Sequence, residues 1–190
     1  QDIHSNFFKK KNSILISSSK EINPSFNSDA FSLNNQSGYF CKKDVCKIEI
    51  KDGKNIHYAF NNTISDFQKF QIIATQPFAY LFYQRGKLVL HGSAIEINGR
   101  AFLFIGISTS GKSFFASNLL DKSKLITEDI CVIDIIDNSF YVRPSIPVIK
   151  LDNPSIITSK NIKSEHKLID KRNRKAVLLN NSKFSSIPIK

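Results

Sequence analysis

A chain of 190 residues, 41% apolar and 11% aromatic, carries enough hydrophobic material for a globular core and is too apolar for a disordered protein. The net charge of +11 favours anionic partners, and no apolar run approaches the roughly 20 residues of a membrane span. With Gln1-Asp2-Ile3-His4 opening no apolar signal segment, a soluble, cytoplasmic protein without membrane partners is expected. Three cysteines fit reduced thiols better than a disulfide framework. Cys41 and Cys46 have no second Cys/His pair at zinc spacing and read as strand residues.

Residues 1–36 are rich in Ser, Asn and Lys around one strand-like run, Ile14-Leu15-Ile16, and read as a loose lead-in to a single domain over 37–190. Val45–Ile50 and Asn55–Phe60 flank Asp52-Gly53, which supplies the positive φ angles of a hairpin turn. From Ile64 to Gln84 apolar residues recur at helical spacing, with Pro77 kinking or splitting the helix and Gly86 ending it. Lys87–Ile97 and Arg100–Ile105 form a second hairpin across Asn98-Gly99. A short helix follows from Ser113 to Leu120, packing Phe115, Ala116, Leu119 and Leu120 on one face. Strands are predicted at Lys124–Ile126, Ile130–Ile136, Phe140–Val142, Val148–Leu151 and Ala176–Leu179. Between the last two, residues 159–175 are strongly basic and read equally as a mobile solvated loop or as an anion-binding segment. They lack the interleaved aromatics that stack bases, which argues against nucleic acid.

The segment with most chemical content is Gly106-Ile107-Ser108-Thr109-Ser110-Gly111-Lys112-Ser113, which fits the phosphate-binding pattern G-x-x-x-x-G-K-[ST]. That pattern is degenerate by itself, so its context decides. Here an apolar strand, Ala101–Ile105, runs into it and an amphipathic helix leaves it. The glycines let backbone amides turn toward a phosphate, Lys112 reaches the β- and γ-phosphates, and Ser113 offers a hydroxyl to Mg²⁺. A nucleoside triphosphate, ATP by default, and Mg²⁺ are therefore expected.

Phosphoryl transfer to an alcohol also needs acids near the metal and the acceptor. Glu128-Asp129, after the helix, is one candidate; Asp134, closing the run Ile130–Ile133, is the other. Asp134 sits inside a strand-turn-strand with Asp137-Asn138, so the adjacent pair is favoured and Asp134 and Asp137 read as solvent-facing hairpin residues. Neighbouring residues on an extended segment point to opposite sides, so one acid can face metal and the other the hydroxyl. Spacing leaves open which does which.

Taken together, Leu90-His91-Gly92-Ser93, the Asn98-Gly99 hairpin, the P-loop and Leu125-Ile126-Thr127-Glu128-Asp129 resemble the catalytic domain of HPr kinase/phosphorylase and its smaller relatives. The resemblance covers roughly residues 64–151 and implies an α/β (α+β) fold with a mixed, largely antiparallel sheet of the phosphoenolpyruvate-carboxykinase-like kind. It implies catalytic roles for His91, Lys112, Glu128 and Asp129, with Asp129 as general base. Ser113 and Glu128 become metal ligands, and Arg143, Arg172 and Arg174 candidates for a distal substrate arginine. Glu128 stands where the family has Asp, and the family's downstream magnesium-binding glutamate and substrate-side motif have no match. A short chain resembles most the kinases of peptide biosynthesis, such as lasso-peptide precursor kinases. The implied partner is a peptide or small protein bearing a serine, and the family implies a homo-oligomer. A nucleotide-binding sensor and a small-molecule kinase would use the same phosphate cradle.

Overall fold

The computed structural model describes residues 14–19, 29–168, 172, 174–180 and 187–189. They form a mixed α and β protein dominated by antiparallel sheet, and no helix among them is long and apolar enough to cross a membrane. The chain divides into two compact units at Gly86/Lys87, a boundary inside the stretch expected to be one domain.

The first unit holds strands β1 (Leu15–Ser18), β2 (Ala30–Leu33), β3 (Ser37–Lys42), β4 (Cys46–Lys51) and β5 (Asn55–Phe60), followed by helices α1 (Asp66–Ile73) and α2 (Gln76–Gln84). Its sheet runs β1-β5-β4-β3-β2, antiparallel except for the β1–β5 pair. Strict alternation in β4 buries Cys46, Ile48 and Ile50 and leaves Lys47, Glu49 and Lys51 on the opposite face. The buried set packs with Ile56 of β5 against Ile72, Ile73 and Leu81 of the helices. Each such side chain contributes about 1.5–3 kcal/mol on burial. Ser65 caps α1 by accepting from the Gln68 amide while Gln68 Oε1 accepts from the Ser65 amide, a reciprocal capping box. Pro77 does not kink a continuous helix: the break falls at Ala74-Thr75, and Pro77 occupies the first turn of α2, where its missing N–H costs nothing. The expected Asp52-Gly53 turn has φ of 55° and 59°, and Arg85 Nε donates to the Gly53 carbonyl. Strands β2 and β3 lie where a lead-in or no element was expected. Cys41, Cys46 and Cys131 are buried, and none is in a disulfide among the described residues.

The second unit begins with a ten-residue strand, β6 (Leu88–Ile97), that organises the rest. On one edge it pairs with β7 (Arg100–Ile105) through Gly92–Ile97. On the other, Leu88–His91 pair with β9 (Ile130–Ile136), and Ala94–Glu96 pair with β8 (Lys124–Thr127). Next to β9 lie β10 (Ser139–Arg143) and β14 (Ile187–Pro188), and a bridge between Ala101 and Ile189 brings that end of the sheet back to β7. A separate three-stranded sheet, in the order β11-β13-β12, is built from β11 (Val148–Leu151), β12 (Ile162–Lys167) and β13 (Lys175–Leu179). The basic stretch is thus partly strand: in β12 the half-buried Ile162, Ser164 and His166 alternate with the exposed Lys163, Glu165 and Lys167. Lys171 and Asp170 lie outside the described residues.

Helix α3 (Lys112–Asn118) packs on β6, β7 and β11 and joins the two sheets. Ala116 and Leu120 meet Ile95 and Leu125 on one side and Ile149, Leu151, Val177 and Leu179 on the other. Phe115 and Leu119, expected on the packed face, are exposed. The helix turns Lys112, Ala116, Ser117 and Leu120 inward instead, and Phe115 stacks on Phe104 with ring centroids 6.2 Å apart. A second core, around Ala94, Ala101, Ile126, Cys131, Ile133 and Val142, fills the space within the larger sheet.

Candidate active site

Strand β7 delivers the chain to Gly106, and the loop from 106 to 111 turns back on itself before α3. Thr109 has φ of 71° and Gly111 of 87°, so the loop uses left-handed backbone twice, once without a glycine. A Cβ at Gly106 would lie 2.8 Å from Ser110 Oγ, which shows how tightly the turn closes. Ile107, Ser108, Thr109 and Ser110 are exposed. Lys112 is buried at the base of the loop, its Nζ donating to the Ile107 carbonyl at 2.6 Å. The Ser113 hydroxyl donates to Glu128 Oε1 at 2.8 Å.

Glu128 and Asp129 occupy a bend between β8 and β9 rather than an extended segment. Asp129 has φ of 72°, and the buried Thr127 closes the bend by donating its hydroxyl to the Ile130 carbonyl at 2.6 Å. The left-handed residue redirects the chain, so both acids stay at one site instead of diverging. The backbone carbonyl of Asp129 accepts from the Gly92 amide at 3.2 Å and from His91 Nδ1 at 2.9 Å. Because a carbonyl can only accept, Nδ1 is the donor in that bond. Asp129 Oδ1 lies 3.5 Å from the same nitrogen, and Oδ2 is 2.5 Å from Lys150 Nζ. The structure therefore gathers His91, Ser113, Glu128 and Asp129, with Lys112 held at the adjoining loop.

The chain matches no model of a protein family, no curated protein and no solved structure. Glu128 is buried, and burial pushes its carboxyl up to about 7. The Lys150 charge opposes that rise, the neighbouring Asp129 charge adds to it, and the Ser113 hydroxyl and Arg174 lower it. At Asp129 burial also acts upward, but the charge and hydrogen bond of Lys150, with His91 and Arg174, outweigh it and hold the carboxyl below the usual range. One acid is poised near neutrality while its neighbour stays ionised, a split typical of functional sites.

The three arginines part company. Arg174, beside β13, acts electrostatically on both acids. Arg172 donates to Asp152 at 2.9 Å on the surface. Arg143 donates to Asp134 at 2.7 and 3.0 Å, and Lys87 lies 2.8 Å from the other carboxylate oxygen. Asp134, expected to face solvent, is buried. Lys87, just before β6, and Arg143 on β10 close over it from either side of β9, and their charges keep it ionised against burial. Asp137 is exposed in a turn with Asn138, at φ of 48° and 58°.

Among the described residues no three His, Cys, Asp or Glu side chains cluster as a metal site. Mg²⁺ in nucleotide enzymes takes one or two protein oxygens and completes its shell with phosphates and water. The adjacent Ser113 hydroxyl and Glu128 carboxylate are hard oxygen donors of that kind. Lys150 was not anticipated from the sequence. The available signal was a lysine inside the apolar run Val148-Ile149-Lys150-Leu151, every residue of which is buried and which therefore needed an acidic partner.

Gly92 fixes Asp129 and allows no side chain: a Cβ there would sit 2.8 Å from the Phe104 carbonyl oxygen, a backbone atom that cannot swing aside. Gly92→Ala is expected to cost about 2 kcal/mol of stability, within the usual range for overpacking. It should also reduce activity by displacing the Asp129 carbonyl. Unfolding curves check this, and an Ala variant as stable as the parent would refute the close approach.

Proposed function

We propose that the unit beginning at Lys87 is an ATP- and Mg²⁺-dependent kinase of the HPr-kinase-like kind, transferring the γ-phosphoryl group to a serine hydroxyl on a peptide or small protein. The observation that carries this reading is the hydrogen bond from Ser113 to Glu128. It joins the phosphate cradle to the acid pair, so that a nucleotide on the loop and a hydroxyl at Asp129 would be neighbours.

In the reaction Lys112 and the loop amides hold the phosphates, and the first turn of α3 adds its unpaired amides. Ser113 and Glu128 would hold Mg²⁺, which when bound would offset charge on the phosphates. Asp129 accepts the serine proton as the oxygen–phosphorus bond forms and the bond to the bridging oxygen breaks, releasing ADP. Phosphoryl transfer has a loose transition state, so orientation of the hydroxyl counts for more than basicity, and an ionised acid of low pKa suits the task. His91 fixes the backbone beneath that acid. Arg174 is the best placed of the three arginines to meet an anionic acceptor.

The test is incubation with γ-labelled ATP, Mg²⁺ and a panel of serine peptides, each paired with its alanine counterpart. Label should appear as phosphoserine only in the serine members. Tight nucleotide binding without any phosphopeptide would favour a sensor, and label in a metabolite would favour a small-molecule kinase; either result removes the peptide-kinase reading.

A further inference from the structure

Only two lysines are buried among the described residues, Lys112 in the P-loop and Lys150 on β11. The second comes from a different sheet, with its side chain 10% exposed and its ammonium 2.5 Å from Asp129 Oδ2. A buried ammonium is retained only with a matched partner, and here the partner is the residue assigned as base. Asp129 is constrained from both ends. Its carbonyl is held by Gly92 and His91, its backbone is left-handed, and one carboxylate oxygen is anchored by Lys150. The other oxygen, Oδ1, is 3.5 Å from His91 Nδ1, beyond good hydrogen-bond length, so it keeps capacity to accept a proton.

We propose that Lys150 is a positioning residue that locks the Asp129 carboxylate by its Oδ2 and presents Oδ1 to the acceptor hydroxyl. The inference rests on Asp129 being the base of the kinase proposed above. During transfer the hydroxyl proton passes to Oδ1, the serine oxygen bonds to phosphorus, ADP departs, and Lys150 keeps its own protons throughout. It acts through Asp129 and not on the nucleotide. The three-stranded sheet thereby supplies part of the active site, although the P-loop and acid pair belong to the elements around β6.

The experiment compares Lys150→Gln, Lys150→Arg, Asp129→Asn and the double variant Lys150→Gln/Asp129→Asn, measuring kcat, peptide KM, MgATP affinity and thermal unfolding. Lys150→Gln should lower kcat about a hundredfold, as small misplacements of catalytic groups do, with KM and MgATP affinity within about threefold of the parent when compared at alkaline pH, because the Lys150 charge also favours the ionised Glu128. Lys150→Arg should recover about tenfold of that loss, since it restores the charge with a different fork. The double variant should be no slower than Asp129→Asn alone, because Lys150 has nothing left to position.

Multiplying losses in the double variant would overturn the inference, as would a Lys150→Gln enzyme within about twofold of the parent. Loss of MgATP binding in step with thermal stability would reduce Lys150 to a structural ion pair. A parent protein that binds nucleotide but phosphorylates nothing overturns the kinase reading and the role of Lys150 with it. Full parental transfer with an indifferent Lys150→Gln removes this inference alone.

Discussion

Asp129→Asn is expected to transfer phosphate about a thousandfold more slowly than the parent while binding MgATP no more weakly, a loss within the range of removed general bases. The substitution keeps side-chain size and removes only the charge and the capacity to take a proton. Asparagine tolerates left-handed backbone as readily as aspartate, so the φ of 72° and the bonds from Gly92 and His91 to the residue's carbonyl should survive. The nucleotide site stays intact because Lys112 and Ser113 do not touch Asp129. Lys150 is left buried beside a neutral amide, and a stability loss of about 2 kcal/mol should accompany the loss of rate. Single-turnover transfer to a serine peptide separates chemistry from product release. Transfer at close to the parental rate would mean that Asp129 is not the base.

Features legible in the sequence are those whose residue type is dictated locally. Asp52-Gly53, Asn98-Gly99 and Asp137-Asn138 each need positive φ at both central positions, and each has it. The strand, loop and helix around Gly106–Ser113 likewise follow from an apolar run, glycine placement and helical spacing. Strand β12 was illegible because its edge position lets charged residues alternate along it, which in sequence resembles a solvated loop. Asp134 reads as solvent-facing because part of its cover is Lys87, which precedes β6 and is far from it in sequence. The bend at Asp129 carries no glycine to announce it. Lys150 is one of 27 cations, and only its tertiary pairing with Asp129 singles it out. Local chemistry thus announces the glycine-bounded loop between β7 and α3 and the acid pair. How the acid pair is held is a tertiary property.

Glu128→Gln should make the protein more stable and less active, and the two effects should separate by pH. Burial raises the Glu128 carboxyl from its ordinary 4.5 to about 7, so between those values the folded state keeps a proton that the unfolded chain has released. Stability from this group is complete below pH 4.5, falls as pH rises, and is lost above pH 7. At roughly 1.4 kcal/mol per unit, the cost of ionising Glu128 in the fold reaches about 3 kcal/mol. Glutamine has no proton to lose and can still accept from Ser113. The variant should match the parent near pH 5 and exceed it by about 2–3 kcal/mol at pH 8, measured by thermal unfolding across that range. Stability profiles that run parallel would show that Glu128 ionises without penalty. A carboxylate must be deprotonated to ligate a metal, so MgATP affinity of the parent should climb as pH rises toward 7, and the glutamine variant should bind weakly at every pH. A residue that destabilises the apo-protein at neutral pH yet sits 2.8 Å from the P-loop serine is explained by binding: a cation shared with Ser113 would stabilise the charge that the fold alone opposes.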